Sequence, residues 1–178
     1  ESDSWFETRP RPREGAPDVI YVILDDVGYA DLGCFGSEIR TPNFDRLAKD
    51  GLRYSNFHTT TMCSPTRACL LTGRNHHAVG MRCLANFDFG YPNGRGSISH
   101  RAATVAEMLG GAGYATFAVG KWHVAQVEET SAAGPFDQWP LGRGFNRFYG
   151  FMNGSTDQYH PEIIEDNHAI DPPGRPED

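Results

Sequence analysis

The chain has 178 residues, 39% apolar and 22% charged, and carries 16 basic against 23 acidic side chains for a net charge of −7. That length supports one domain with a real core, and the balance is that of an ordinary globular protein. The acidic sign excludes a general nucleic-acid binder, which needs a basic face, but a local cluster such as Arg67, Lys121 and His123 can still hold an anion.

Residues 1–17 form a polar, proline-bearing stretch that reads as an extended arm, with Trp5 and Phe6 available to dock it on the body. Asp18-Val-Ile-Tyr-Val-Ile-Leu24 is a continuous β-branched run, suited to a central parallel strand buried on both faces. It stops at Asp25-Asp26, and Gly28 breaks the pattern. Thr41 is a candidate cap and Pro42 a first-turn residue of a helix whose apolar face is Phe44, Leu47 and Ala48 and whose end is Gly51. Residues 52–57 read as a second strand, and 58–62 as a loop leading into a helix that opens near Cys63, with Pro65 suited to its first position. Residues 73–99 are rich in Gly, Asn and Pro and are expected to be irregular. A helix is expected over 104–109, ended by Gly110 and Gly111, then a third strand over 114–119 running into Gly120-Lys121-Trp122-His123. Beyond about residue 125 the chain reads as loop-rich, with Phe136, Trp139, Phe145, Phe148, Tyr149 and Phe151 needing cover; residues 171–178 show no packing pattern. The element order predicts an α/β fold with a mostly parallel sheet flanked by helices.

Three predicted strand ends terminate in polar chemistry: Asp25-Asp26, the loop before Cys63, and Lys121-x-His123. Sites in open α/β sheets form beyond such ends. Two adjacent carboxylates offer hard oxygens to Ca²⁺ or Mg²⁺, although an isolated Asp-Asp after a strand more often makes a turn with one capping aspartate. Cys63 at a helix start has its thiolate favoured by the helix dipole, and Arg67 lies one turn further along the same face. Cys69 and Cys83 read as buried small hydrophobes. Lys121 and His123 share one face of an extended segment; a Lys can hold an oxyanion and a His can move a proton. Ser64 and Thr66 fit capping roles, His76 and His77 fall in the Gly/Asn-rich stretch and are not assigned to catalysis, and residues 157–160 could line a substrate mouth. The glycines at 94, 96, 110, 111 and 113 do not make a dinucleotide loop, because the strand–glycine–helix order is absent.

Taken together, Asp25-Asp26-x-Gly28, Thr41-Pro-Asn-Phe-Asp-x-Leu-Ala48, Cys63-x-Pro65-x-Arg67 followed by Ala68-x-Leu70-x-Thr72-Gly73, and Gly120-Lys-Trp-His123 resemble the ordered motifs of the type I sulfatases, in the alkaline phosphatase superfamily. The resemblance covers residues 18–151 and implies an arylsulfatase-like enzyme acting on a small sulfate ester. It implies that a formylglycine-generating enzyme oxidises Cys63 to formylglycine, whose hydrated aldehyde attacks the sulfur. It makes Asp25, Asp26 and modified Cys63 ligands of Ca²⁺ or Mg²⁺. Arg67 would orient the formylglycine hydroxyl, Lys121 would bind the substrate sulfate and the nucleophile, and His123 would help the sulfated intermediate collapse back to aldehyde. Family members are several hundred residues long, and their later portion supplies an Asp-Asn metal pair, a leaving-group His and a second Lys. No segment after His123 supplies these, and the metal role is not carried onto Asp166-Asn167. Residues 152–178 are therefore expected to be a loop-rich lead into a missing C-terminal segment or a complementary chain. Two other readings remain open at this stage: a phosphonate monoester or phosphodiester hydrolase of the same superfamily, and a non-catalytic protein keeping the fold.

The four cysteines (34, 63, 69 and 83) show no Cys-x-x-Cys spacing, and three remain if Cys63 is modified. An odd count favours a reducing compartment, hence the cytoplasm. No run of about eighteen apolar residues predicts a membrane span, and no secretory signal is visible, though the chain starts at Glu1 and leaves an upstream segment open.

Overall fold

A computed structural model describes residues 10–174. The described residues separate into two compact units, one of residues 17–59 and one of residues 10–16 with 60–174.

The larger unit is built on a four-stranded sheet: β1 (Phe117–Lys121), β2 (Arg147–Phe151), β3 (Ile163–Glu165) and β4 (His168–Ile170), in that spatial order. β1 and β2 are parallel, from Phe117↔Arg147 to Lys121↔Phe151, while β2–β3 and β3–β4 are antiparallel. The expected α/β layering is present, and the sheet is mixed. A two-residue turn at Asp166-Asn167 joins β3 to β4, and left-handed Asp166 (φ 56°) supplies the reversal. These three later strands fall in the stretch that composition alone reads as loop. The parallel ladder does not stop at Lys121: the Trp122 and His123 amides donate to the carbonyls of Phe151 and Met152, each at 2.9 Å.

Helix α2 (Cys63–Thr72) and the short α3 (Val105–Gly111) belong to this unit. Thr104 caps α3 reciprocally: its hydroxyl accepts from the Glu107 amide at 3.1 Å, and Glu107 Oε2 accepts from the Thr104 amide at 2.6 Å. The core holds Ala68 and Leu71 of α2 with Val79, Met81, Ile98, Trp122, Val124, Trp139, Phe148 and Met152. Both buried indoles satisfy their N–H on carbonyls, Trp122 on Gln138 at 2.9 Å and Trp139 on Glu129 at 2.6 Å. Of the aromatics foreseen as needing cover, Trp139 and Phe148 are buried, Phe136, Phe145 and Phe151 half-buried and Tyr149 exposed; Phe145 packs edge-on to Trp122 and Phe136 edge-on to Trp139. Residues 73–99, expected to be irregular, hold only a short 3₁₀ helix over His76–Val79 and an isolated bridge between Met81 and Gly94, and Arg143 braces the end of this stretch and the chain that follows. Its guanidinium, 1% exposed, donates to the carbonyls of Ile98 (2.6 Å) and Ala102 (2.8 Å), to Gln138 Oε1 (3.2 Å) and to Glu107 (3.1 Å). Of the arm, Trp5 and Phe6 lie outside the described residues; the Arg11 backbone lies so close over Gly113 that a Cβ there would meet it at 2.6 Å.

The smaller unit holds α1 (Pro42–Asp50) and no strand among the described residues. Residues 18–24 are extended but unpaired, with Ile20 81% and Val22 64% exposed, so the expected buried strand is corrected. β-branched residues fit a pleated surface but do not provide its hydrogen-bonded partner, which no local rule can supply. The same holds for residues 52–57, where Leu52 is 87% exposed. Helix α1 starts at Pro42 and stops at Gly51 as read, but Thr41 does not cap it. Its hydroxyl instead accepts from the Gly33 amide at 2.8 Å and donates to Asp45 at 3.0 Å. No helix is long and apolar enough to cross a membrane among the described residues.

Candidate active site

Helix α2 opens on Cys63 itself, behind an N-cap Met62 that offers no side-chain bond. Pro65 is therefore the third helical residue and not the first; its missing N–H is still among the orphan donors of the first turn. Thr66 does not cap forward either. Its hydroxyl donates back to the Met62 carbonyl at 2.9 Å and meets the Thr60 hydroxyl at 2.7 Å. Ser64, fully buried, accepts from the Ala85 amide at 3.1 Å and so ties the irregular segment to the helix start. Gly73 closes the helix in the left-handed region (φ 65°).

Four of the residues singled out in the sequence converge here. Cys63 Sγ lies 3.1 Å from His123 Nδ1 although sixty positions separate them. Arg67, one turn below Cys63 and 9% exposed, donates from Nη1 to the Lys121 carbonyl at 2.5 Å. Helix start and strand end are thereby joined by a buried guanidinium. Lys121 is half-buried and His123 is 4% exposed. The backbone does not simply alternate here: Gly120 (φ 98°) and His123 (φ 53°) both take positive φ, which a regular strand does not. A thiol, an imidazole and two cationic side chains drawn from two chain segments, the start of α2 and the end of β1, suit covalent chemistry on an anionic group.

Sequence reasoning did not single out Asn86, whose Oδ1 stands 2.9 Å from His123 Nε2. Nor did it single out Gly154, where a Cβ would strike the imidazole at 2.8 Å. The Gly/Asn-rich composition around Asn86 signals only a loop, and the contact spans thirty-seven positions.

Asp25 and Asp26 belong to the other unit, at a bend where Asp26 is left-handed (φ 54°). Two adjacent carboxylates match the donor chemistry of a hard cation. Among the described residues, no group of three or more His, Cys, Asp or Glu side chains that could hold a metal is assembled. The residues present thus fit in kind and fall short of the six or more oxygens that Ca²⁺ takes.

Other candidates have structural employment. His76 Nδ1 contacts the Met81 carbonyl at 2.7 Å, with His77 stacked beside it. Asp157 accepts from the amides of Tyr159 and His160, and these bonds hold its carboxyl below the usual range. Asp166 is engaged in the hairpin: the Phe148 amide (2.9 Å) and then Arg147 depress its pKa. Burial beside Asp137 and Glu128 pushes Glu129 up, away from the Cys63 cluster in sequence and in hydrogen bonding.

The family profile described as Sulfatase matches residues 17–175. An arylsulfatase of Klebsiella aerogenes is 37% identical over 149 residues, covering 83% of this chain and 30% of that protein. Human arylsulfatase A is 40% identical over 136 residues, covering 75% of this chain and 25% of that protein. Among solved structures, Ps i-CgsB in complex with k-i-k-neocarrahexaose superposes with a TM-score of 0.68 at 29% identity, over 83% of this chain and 36% of that one. The chain thus spans about a quarter to a third of the length of these relatives. With nearly the whole chain inside the family profile, the protein belongs to the sulfatase family.

Proposed function

We propose that this chain is the nucleophile-bearing part of an arylsulfatase-like sulfate ester hydrolase, with Cys63 matured to formylglycine. The observation that carries the reading is the 3.1 Å approach of Cys63 Sγ to His123 Nδ1 beside the Arg67–Lys121 bridge. A hydrated aldehyde at position 63 supplies one hydroxyl whose oxygen attacks sulfur and displaces the alcohol; the second hydroxyl then loses its proton, becomes the aldehyde carbonyl again and expels sulfate by breaking the C–O bond, so one difficult step becomes two. His123, within hydrogen-bond reach of whatever Cβ of residue 63 carries, takes the proton in that elimination. Lys121 places an ammonium where charge grows on the sulfuryl oxygens, and Arg67 adds fixed positive potential while holding the Lys121 backbone still. Asp25 and Asp26 would hold a divalent cation, Ca²⁺ before Mg²⁺, which would lower the free energy of an oxyanion nucleophile. The remaining ligands and the leaving-group acid come from sequence beyond these residues, consistent with the share of the relatives' length that the chain covers.

An intact mass of the peptide containing Cys63 tests the maturation: an aldehyde side chain is lighter than a thiol, whereas other oxidised thiols are heavier. Rates on an aryl sulfate, a phosphonate monoester and a phosphodiester, compared side by side with Ca²⁺ present, test the substrate class. Unmodified cysteine in active enzyme, or a preference for either phosphorus ester, overturns the reading.

A further inference from the structure

We infer that Asn86 is a positioning residue that fixes the tautomer of His123, with the proton on Nε2 and the Nδ1 lone pair directed at residue 63; the inference deepens the function proposed above and rests on it. A neutral imidazole has one donor and one acceptor nitrogen, and the partner of one decides the role of the other. Asn86 Oδ1, at 2.9 Å from Nε2, is an acceptor only, so Nε2 carries the hydrogen. Nδ1, 3.1 Å from Cys63 Sγ, is then the acceptor. His123 is 4% exposed, so water is a poor substitute for the amide, and an Nε2–H left without an acceptor carries the penalty of a buried unsatisfied donor.

The support behind Asn86 is equally specific. On one side the Ala85 amide donates to buried Ser64 Oγ at 3.1 Å, within the turn that carries Cys63. On the other the Phe87 amide donates to the Leu84 carbonyl at 3.1 Å. Amide and thiol therefore hang from one frame. The third wall is Gly154: a Cβ there would lie 2.8 Å from Cε1 and 3.1 Å from Nε2 of the imidazole, so any side chain pushes the ring off its two partners. The His123 amide, donating to the Met152 carbonyl at 2.9 Å, closes the frame from the backbone.

The test is nitrogen NMR of the full-length protein labelled with ¹⁵N-histidine, metal-free and with Cys63 unmodified, about two pH units above the ordinary imidazole value near 6.5. The His123 signals are identified by their loss in His123→Gln. The wild type should show a protonated Nε2 and a bare Nδ1. Asn86→Asp, which keeps an acceptor at the same place, should preserve that pattern; Asn86→Leu and Gly154→Ala should mix the tautomers. In the matured enzyme, kcat on an aryl sulfate should fall about tenfold or more in Asn86→Leu and Gly154→Ala, part of the ~10²–10⁴ a positioned base contributes, with KM within about twofold, and Asn86→Asp should recover most of it. A wild-type proton on Nδ1, or a pattern unmoved in a folded Asn86→Leu, overturns the inference. The wild-type spectrum decides even where a variant fails to fold. The expected tautomer in a protein that hydrolyses no sulfate ester would leave the positioning intact and sink the proposed function instead.

Discussion

The two units place their chemistry on very different footings. Every fully buried apolar side chain among the described residues lies in the unit that carries Cys63, Lys121 and His123, whereas no residue of 17–59 is buried. Around Cys63 each reactive group is held by something itself held: Arg67 by the Lys121 carbonyl, His123 by Asn86, Asn86 by its neighbour's bond to Ser64. Asp25 and Asp26 instead sit on exposed chain after an apolar run that finds no packing partner in its own unit. Precise catalytic geometry requires such support, since an interaction misplaced by an ångström loses much of its effect. The contrast separates a buried, hydrogen-bonded cluster from a pair of carboxylates on exposed chain.

The largest effect that would break this contrast is at the nucleophile. Cys63→Ala should lower turnover of an aryl sulfate by on the order of 10⁴–10⁶-fold in the full-length protein, while Cys69→Ala keeps activity and shifts only thermal stability. Next, Asp25→Asn with Asp26→Asn should abolish bound Ca²⁺, measured by elemental analysis, yet leave the metal-free unfolding midpoint within about one or two degrees, because neither carboxylate supports a core. A large loss of metal-free stability would show that residues 17–59 are more deeply integrated than their exposure indicates. Arg143→Ala should do the reverse: about 3–5 kcal/mol of stability lost in denaturant titration, because two buried carbonyls and Glu107 lose their partner. Thr104→Ala should remove about 1–2 kcal/mol, the worth of a helix cap. The smallest effect concerns acid. Asp166 has a depressed pKa in the folded state, so its contribution is fully present above the ordinary aspartate range near pH 3.9 and is lost as pH falls through its folded value. Asp166→Asn should flatten the acid limb of the stability curve slightly and leave it unchanged near neutrality.

Helices were legible and, apart from β1, expected over 114–119 and found at Phe117–Lys121, strands were not, for a physical reason. Pro42, Gly51, the Cys63 start and the glycines at 110 and 111 are local chemistry, and the three α-helices of the described residues stand close to where those residues put them. A strand needs a neighbour. Residues 18–24 have the right composition and no ladder, whereas β3 and β4, of three residues each, were missed because a single Asp-Asn turn and pairing with β2 sustain them. The site divides the same way. Cys63 and Arg67 are related by helical spacing and could be paired on sight; Cys63 and His123 were joined by their places at predicted strand ends and by the resemblance. Asn86 was invisible because its importance is a contact between loops distant in sequence.

The bond from the Ala85 amide to Ser64 Oγ has a consequence for how the protein breathes. It lies outside every ladder and helix bond, yet both groups are buried, so its hydrogen should exchange with solvent as slowly as those of α2. Peeling the 84–90 segment away then requires fraying the first turn of the helix. Asn86 and Cys63 would be lost and regained in one cooperative opening, and a molecule caught with the nucleophile presented but its imidazole astray would be a rare species.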